Sequence, residues 1–262
     1  MLLFAIPQWK HASRSTAWAG LMLGVLLFAG YSFQTVGLLY TTASHAGFIT
    51  GLSVVFVPLI GTIITRQRPG TGVIIGALCA MAGLAILTGT DFHGTNFGDI
   101  LIFFCAISFA LHIIYVGKYS PHHFTVWLVT WQIAAVALLS GISALLFEPG
   151  ASFDFAVWPA LLITALLATC LAFFTQNYMQ RFTSPSHTAI IFTMEPVFAA
   201  FFAAWLLHET LSSNAYWGGS LILCGMLLAE FPATTWLKRK IKTVFPCPKQ
   251  QEKKTAGDLR PH

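Results

Sequence analysis

Residues 192–205 read FTMEPVFAAFFAAW, an apolar run interrupted by one acidic side chain and one proline. Held away from water, the carboxyl group of Glu195 has the chemistry to bind an amine or to exchange a proton. The same isolation is costly, at roughly 2.5–3.5 kcal/mol for a central acid on insertion scales. Pro196 removes a backbone donor and leaves the Phe192 carbonyl without its helical partner, which predicts a helix kink at Pro196. Two readings of the pair stay open. Glu195 edges an internal cavity and meets substrate or protons, or its carboxyl group braces a fixed bend by hydrogen bonding across helices.

Further candidates stand singly in apolar surroundings. Gln34 and Gln176 are intramembrane amides. Such groups join neighbouring helices for about 0.6 kcal/mol on average, and they also serve as substrate contacts when they face a cavity. His112 is either a packing histidine or a proton shuttle. Trp131 either walls an apolar cavity or belongs to an aromatic belt at the membrane interface. Cys79, Cys105, Cys170 and Cys224 fall singly inside apolar segments and Cys247 lies in the tail, so neither a disulfide framework nor a metal site is expected. No nucleotide-binding, metalloprotease or nucleophile-elbow motif occurs, and no cofactor is expected.

The elements that position these residues follow from composition. The chain has 262 residues, 56% hydrophobic and 9% charged, with mean hydropathy +0.73. Soluble domains carry about 25% charged residues, so the solvent around this chain must largely be lipid. Apolar runs of about 20 residues predict eight spans, at 17–40, 44–65, 70–89, 97–117, 124–147, 156–179, 185–207 and 214–231. Numbering the connectors alternately puts Lys10, Arg14, Arg66, Arg68, Lys118, Arg181 and the basic tail on one side. Asp91, Asp99, Glu148, Asp154 and Glu209 fall on the other. The positive-inside rule makes the basic side, with both ends of the chain, cytoplasmic. Tail residues such as Lys238, Arg239, Lys240 and Lys242 then face anionic headgroups of the lipid bilayer, and a nucleic-acid role is the weaker reading.

A shift of 142 positions, from Gln34 to Gln176, aligns residues 34–87 with 176–229 without a gap. Thr41 meets Thr183, Ser44 and His45 meet Ser186 and His187, and Gly76 and Gly83 meet Gly218 and Gly225. The first span maps to the sixth. That odd difference gives the copies opposite orientation, and inverted repeats mark secondary transporters with a site between the halves.

The stretches 98–120, 168–212 and 218–230, with Glu195-Pro196, Glu209 and the glycine-rich last helix in order, resemble the EamA-type repeat of the drug/metabolite transporter superfamily. Residues 33–61 are similar to it too, with Ser53 and Val54 where the second copy has Glu-Pro. The resemblance implies an all-α integral membrane protein of two inverted repeats. Its eight helices would match the third to tenth of a ten-helix carrier, lacking the first two. The expected organisation is a remnant of a preceding helix and a cytoplasmic loop at 1–15, a partial first repeat at 16–89, a second repeat at 97–231 and a basic cytoplasmic tail at 232–262.

The function implied is secondary transport of small organic metabolites across the cytoplasmic (inner) membrane by alternating access, with protons as one candidate coupling ion. A non-transporting membrane subunit or truncated relative is the alternative. An enzyme is not expected.

Overall fold

A computed structural model describes residues 13–66, 69–89, 96–147, 157–207 and 212–230. The segment 1–12, the tail 232–262, and Arg68, Asp91, Glu148, Asp154 and Glu209 lie outside the described residues. The described chain is all helix. In order come α1 (Arg14–Gly37), α2 (Ala43–Gly51), α3 (Ser53–Thr65), α4 (Thr71–Thr88), α5 (Phe97–Tyr119) and α6 (Thr125–Phe147). Then follow α7 (Trp158–Ile163), a π-helical stretch Thr164–Leu171, α8 (Ala172–Met179), α9 (Pro185–Phe192), α10 (Glu195–Leu207) and α11 (Ser213–Glu230). With no water in a bilayer to satisfy backbone groups, helix is the form that such apolar runs take, and breaks in it are tolerated where they face protein or a cavity.

Grouped end to end, these helices make seven stretches long and apolar enough to cross a membrane. They are Arg14–Gly37, Ala43–Ile64, Thr71–Thr88, Phe97–His122, Thr125–Phe147, Trp158–Met179 and Pro185–Leu206. The eighth expected span, 214–231, corresponds to α11, whose polar ends Ser213, Asn214 and Glu230 keep it outside that class although it packs inside the bundle.

Helix starts are chemically specified. The Thr42 hydroxyl accepts from His45 N at 3.2 Å to open α2, and the Ser184 hydroxyl accepts from His187 N at 3.3 Å to open α9. Thr42 and Ser184 are partners under the 142-residue shift, so the two copies begin their second helix with the same cap. Thr42→Ala and Ser184→Ala are each expected to lower the unfolding free energy by about 1 kcal/mol, read from thermal unfolding in detergent micelles. Unchanged unfolding of both would remove the caps as determinants. At α5, the Asn96 side chain accepts from Asp99 N at 2.9 Å, and the Asp99 carboxylate accepts from Asn96 N at 3.1 Å. Asp99 also accepts from the Thr41 hydroxyl at 2.5 Å, which pins the connector between α1 and α2 to the start of α5.

Two spans are interrupted at equivalent places. The first breaks at Leu52, between α2 and α3, where Leu52 N donates to Ile49 O at 3.1 Å. The other breaks at Thr193–Met194, between α9 and α10, where Thr193 N donates to Ile190 O at 3.1 Å and Met194 N to Ile191 O at 3.0 Å. The kink expected at Pro196 therefore lies just before it. Pro196 is the second residue of α10, inside the first turn, where a missing N–H leaves no helical bond unmade. The shift that aligns the sequence also maps the bounds 53–65 onto 195–207 and 71–88 onto 213–230.

The most extensive helix pair is α4 against α11. A Cβ added at Gly76 would stand 2.5 Å from Gly225 O, and one added at Gly83 would stand 2.6 Å from Gly218 O. Lipid offers no hydrophobic drive for helices to associate, so close backbone approach over small residues is what holds such a pair. Elsewhere α1 packs between α5 and α6, and buried Leu23, Val116 and Leu128 fill that junction.

Candidate functional site

A cavity of about 640 Å³ lies where α1, α2, α3, α4, α5, the π-helical stretch, α8, α9 and α10 converge. Its volume is in the range of small-molecule sites, roughly 300–1,000 Å³. Gln34, His112, Gln176, Glu195 and Pro196 all line it, so most of the candidates separated by long stretches of sequence meet on one space. Trp131 does not. It sits on α6 against Gly20 of α1, and its indole Nε1 is buried without a hydrogen-bond partner among the described residues.

Each side chain arrives by helix geometry. Leu27, Tyr31 and Gln34 recur at one face of α1, spaced as i, i+4 and i+7. Phe173 and Gln176 do the same on α8, where Gln176 Nε2 stands 3.5 Å from the Gln180 side-chain oxygen. Thr50 and Ser53 come from either side of the Leu52 break. Glu195 comes from just after the Thr193–Met194 break, and Ser53 is its counterpart under the 142-residue shift. The interruptions thus bring polar side chains to the cavity at the points where the helices end and restart.

The costs raised by the sequence are met here by placement. Glu195 is exposed and turned to the cavity, at the first residue of α10, where the partial positive charge of a helix N-terminus favours an acid. Tyr31, across the cavity on α1, is within electrostatic reach of it. Tyr31 meets the ring of Phe109 edge-on at 5.7 Å, and His112 meets Phe173 edge-on at 6.0 Å. His112 is 2% exposed. Gln132 stands beside it without hydrogen-bond geometry, and His112 Nε2 is left without a partner among the described residues. Among the described residues no three His, Cys, Asp or Glu side chains gather as metal ligands would.

Tyr31, Thr50 and Ser53 join the site without having been singled out from sequence. Tyr31 was accessible as the residue one turn before Gln34 on the same face, and Ser53 as the partner of Glu195 in the other copy. Thr50 had no signal beyond being polar in an apolar run.

An all-helical bundle with several membrane-spanning stretches around a polar-edged cavity defines a multi-pass membrane protein of the carrier type. The chain belongs to the EamA-like transporter family, whose model matches residues 1–89 and 96–231. This is a family of membrane transporters, not of enzymes. The chain is 38% identical over 211 residues to an uncharacterized transporter of Archaeoglobus fulgidus, across 80% of this chain and 68% of that protein. It is 28% identical over 244 residues to a second uncharacterized transporter of the same organism, across 87% of this chain and 82% of the relative. To the uncharacterized transporter YoaV of Bacillus subtilis it is 23% identical over 229 residues, across 84% and 77% respectively. One solved crystal structure shares the fold, with a TM-score of 0.69 at 18% identity over 87% of each chain.

Proposed function

We propose that this chain is a secondary carrier that moves a small organic molecule by alternating access, with the substrate in the cavity between two inverted repeats. The observation that carries this reading is the crossing of α4 and α11. Under the 142-residue shift Gly76 is the counterpart of Gly218, and Gly83 of Gly225, yet in space Gly76 meets Gly225 and Gly83 meets Gly218. Exchanging the copies turns each contact into the other, as a two-fold axis through the crossing requires. Such an axis relates two arms that can rock past each other, opening the cavity to one side and then the other. Gln34 and Gln176, also counterparts, both face the cavity and are proposed to hold polar groups of the substrate on either side of that axis.

The orientation proposed places Arg14, Arg66, Lys118 and Arg181 on the cytoplasmic side of the inner membrane, because all four sit at the same alternating ends of the spans. Glu195 is the proposed site of proton coupling. In proteoliposomes with an imposed pH gradient, purified protein should drive uptake of at least one solute from a mixed metabolite panel. Glu195→Gln should cut that uptake by about 10- to 100-fold, the loss expected when a charged hydrogen-bond partner is removed. Undiminished gradient-dependent uptake by Glu195→Gln would remove the coupling role.

A second reading, a membrane subunit without transport activity of its own, draws support from the Trp158–Met179 span, whose apolar stretch has none of its residues buried. Flux by the purified chain alone decides between the two.

A further inference from the structure

The cavity wall carries a charge pattern that narrows the substrate, if the carrier reading above holds. Glu195 is the carboxylate on it, and among the described lining residues there is no lysine or arginine. The described basic side chains, Arg14, Arg66, Lys118 and Arg181, stand at helix ends or in the connectors next to them. A carboxylate or phosphate in this space would therefore meet like charge and no counter-charge. The other walls are aromatic: Tyr31, Phe109, Phe173 and Phe192 all face the cavity. Ring faces attract cations, most strongly where water is excluded. His112, 2% exposed, lines the same cavity and has Gln132 of α6 beside it.

We propose that the cavity takes an organic cation, a substituted amine or quaternary ammonium with an apolar body of about one ring, with Glu195 as its counter-ion. Its apolar part lies among the four aromatic rings. Ser53, the counterpart of Glu195 in the other copy, lines the same cavity and is a position from which a carboxylate would serve equally.

The test uses three probes of similar size on protein in lipid nanodiscs, by equilibrium dialysis against empty nanodiscs. These are phenyltrimethylammonium, 2-phenylethanol and phenylacetate. The cation should bind about 10- to 100-fold more tightly than the other two. Glu195→Gln should erase that preference and Glu195→Asp should keep it. The double variant Ser53→Glu/Glu195→Gln should restore it, a rescue that a purely structural role for Glu195 would not produce. Equal binding of the three probes, or a cation preference that survives Glu195→Gln, overturns the proposal. Flux of solutes without regard to charge would overturn it while leaving the carrier reading intact. Charge-selective binding with no flux of any solute would uphold the cation site and overturn the carrier reading.

Discussion

Gly83→Ala is expected to destabilise the protein by about 1–3 kcal/mol, although alanine is the better helix former by about 1 kcal/mol. The added methyl would stand 2.6 Å from Gly218 O and 2.8 Å from Ile222 N, both backbone atoms that cannot swing aside. Only a separation of α4 from α11 relieves the contact, and that separation loosens the most extensive helix pair in the structure. Gly76→Ala should behave alike, because its methyl would stand 2.5 Å from Gly225 O. Combining Gly83→Ala with Gly218→Ala should cost less than the sum, since both act on one contact and the first has already moved the helices apart. Gly61→Ala in α3 is the control. Nothing lies within 4 Å of a Cβ there, so the same substitution should be neutral or stabilising by up to about 1 kcal/mol. Thermal unfolding in detergent reads these variants and Gly218→Ala alone, and equal effects at Gly61 and Gly83 would discard the crossing as the organising contact.

Ala172→Trp is expected to abolish transport without unfolding the protein. Ala172 lines the cavity but is exposed, so an indole there has room to sit while occupying ligand space. Solute flux in proteoliposomes should fall by at least about tenfold, with unfolding temperature unchanged, because the filled cavity excludes its ligand sterically. Leu162→Trp, earlier in the same span, is 51% exposed and away from the cavity lining, and it should leave flux near its starting value. Normal flux in Ala172→Trp would mean that substrate passes elsewhere.

Much of the fold was legible because lipid imposes a simple rule on sequence. A span must be long, apolar and helical, and Arg14–Gly37 through Pro185–Leu206 obey it. What hydropathy could not show are the places where a helix stops for a residue or two inside a span. Leu52 carries no side chain that breaks a helix, and its break becomes visible only by comparison with Thr193–Met194. The π-helical stretch Thr164–Leu171 has no periodic signature either; Thr169 Oγ1 donating to Thr164 O at 3.0 Å, five residues back, is local geometry. Among candidate residues, Gln34, Gln176, His112 and Glu195 were findable because a polar group in hydrocarbon needs a reason to be there. Trp131 needs none. Which way an aromatic ring faces depends on the rotation of its helix against its neighbours, and α6 turns Trp131 toward Gly20.

The pairing of Ser53 with Glu195 has an electrical consequence. Under alternating access, two arms related by a two-fold axis exchange roles, and any charge that an arm carries is displaced through the membrane field as they do. Here one arm carries an acid and the other a hydroxyl. A charge crossing the whole field is worth about 2.3 kcal/mol per 100 mV, and an arm that carries Glu195 through part of the field feels the corresponding fraction. An empty, ionised site is then pushed toward the positive face of the membrane, whereas a site neutralised by its cation is not. Resting potential would bias which way the unloaded protein faces, and serine at both positions would remove this acid's share of that bias.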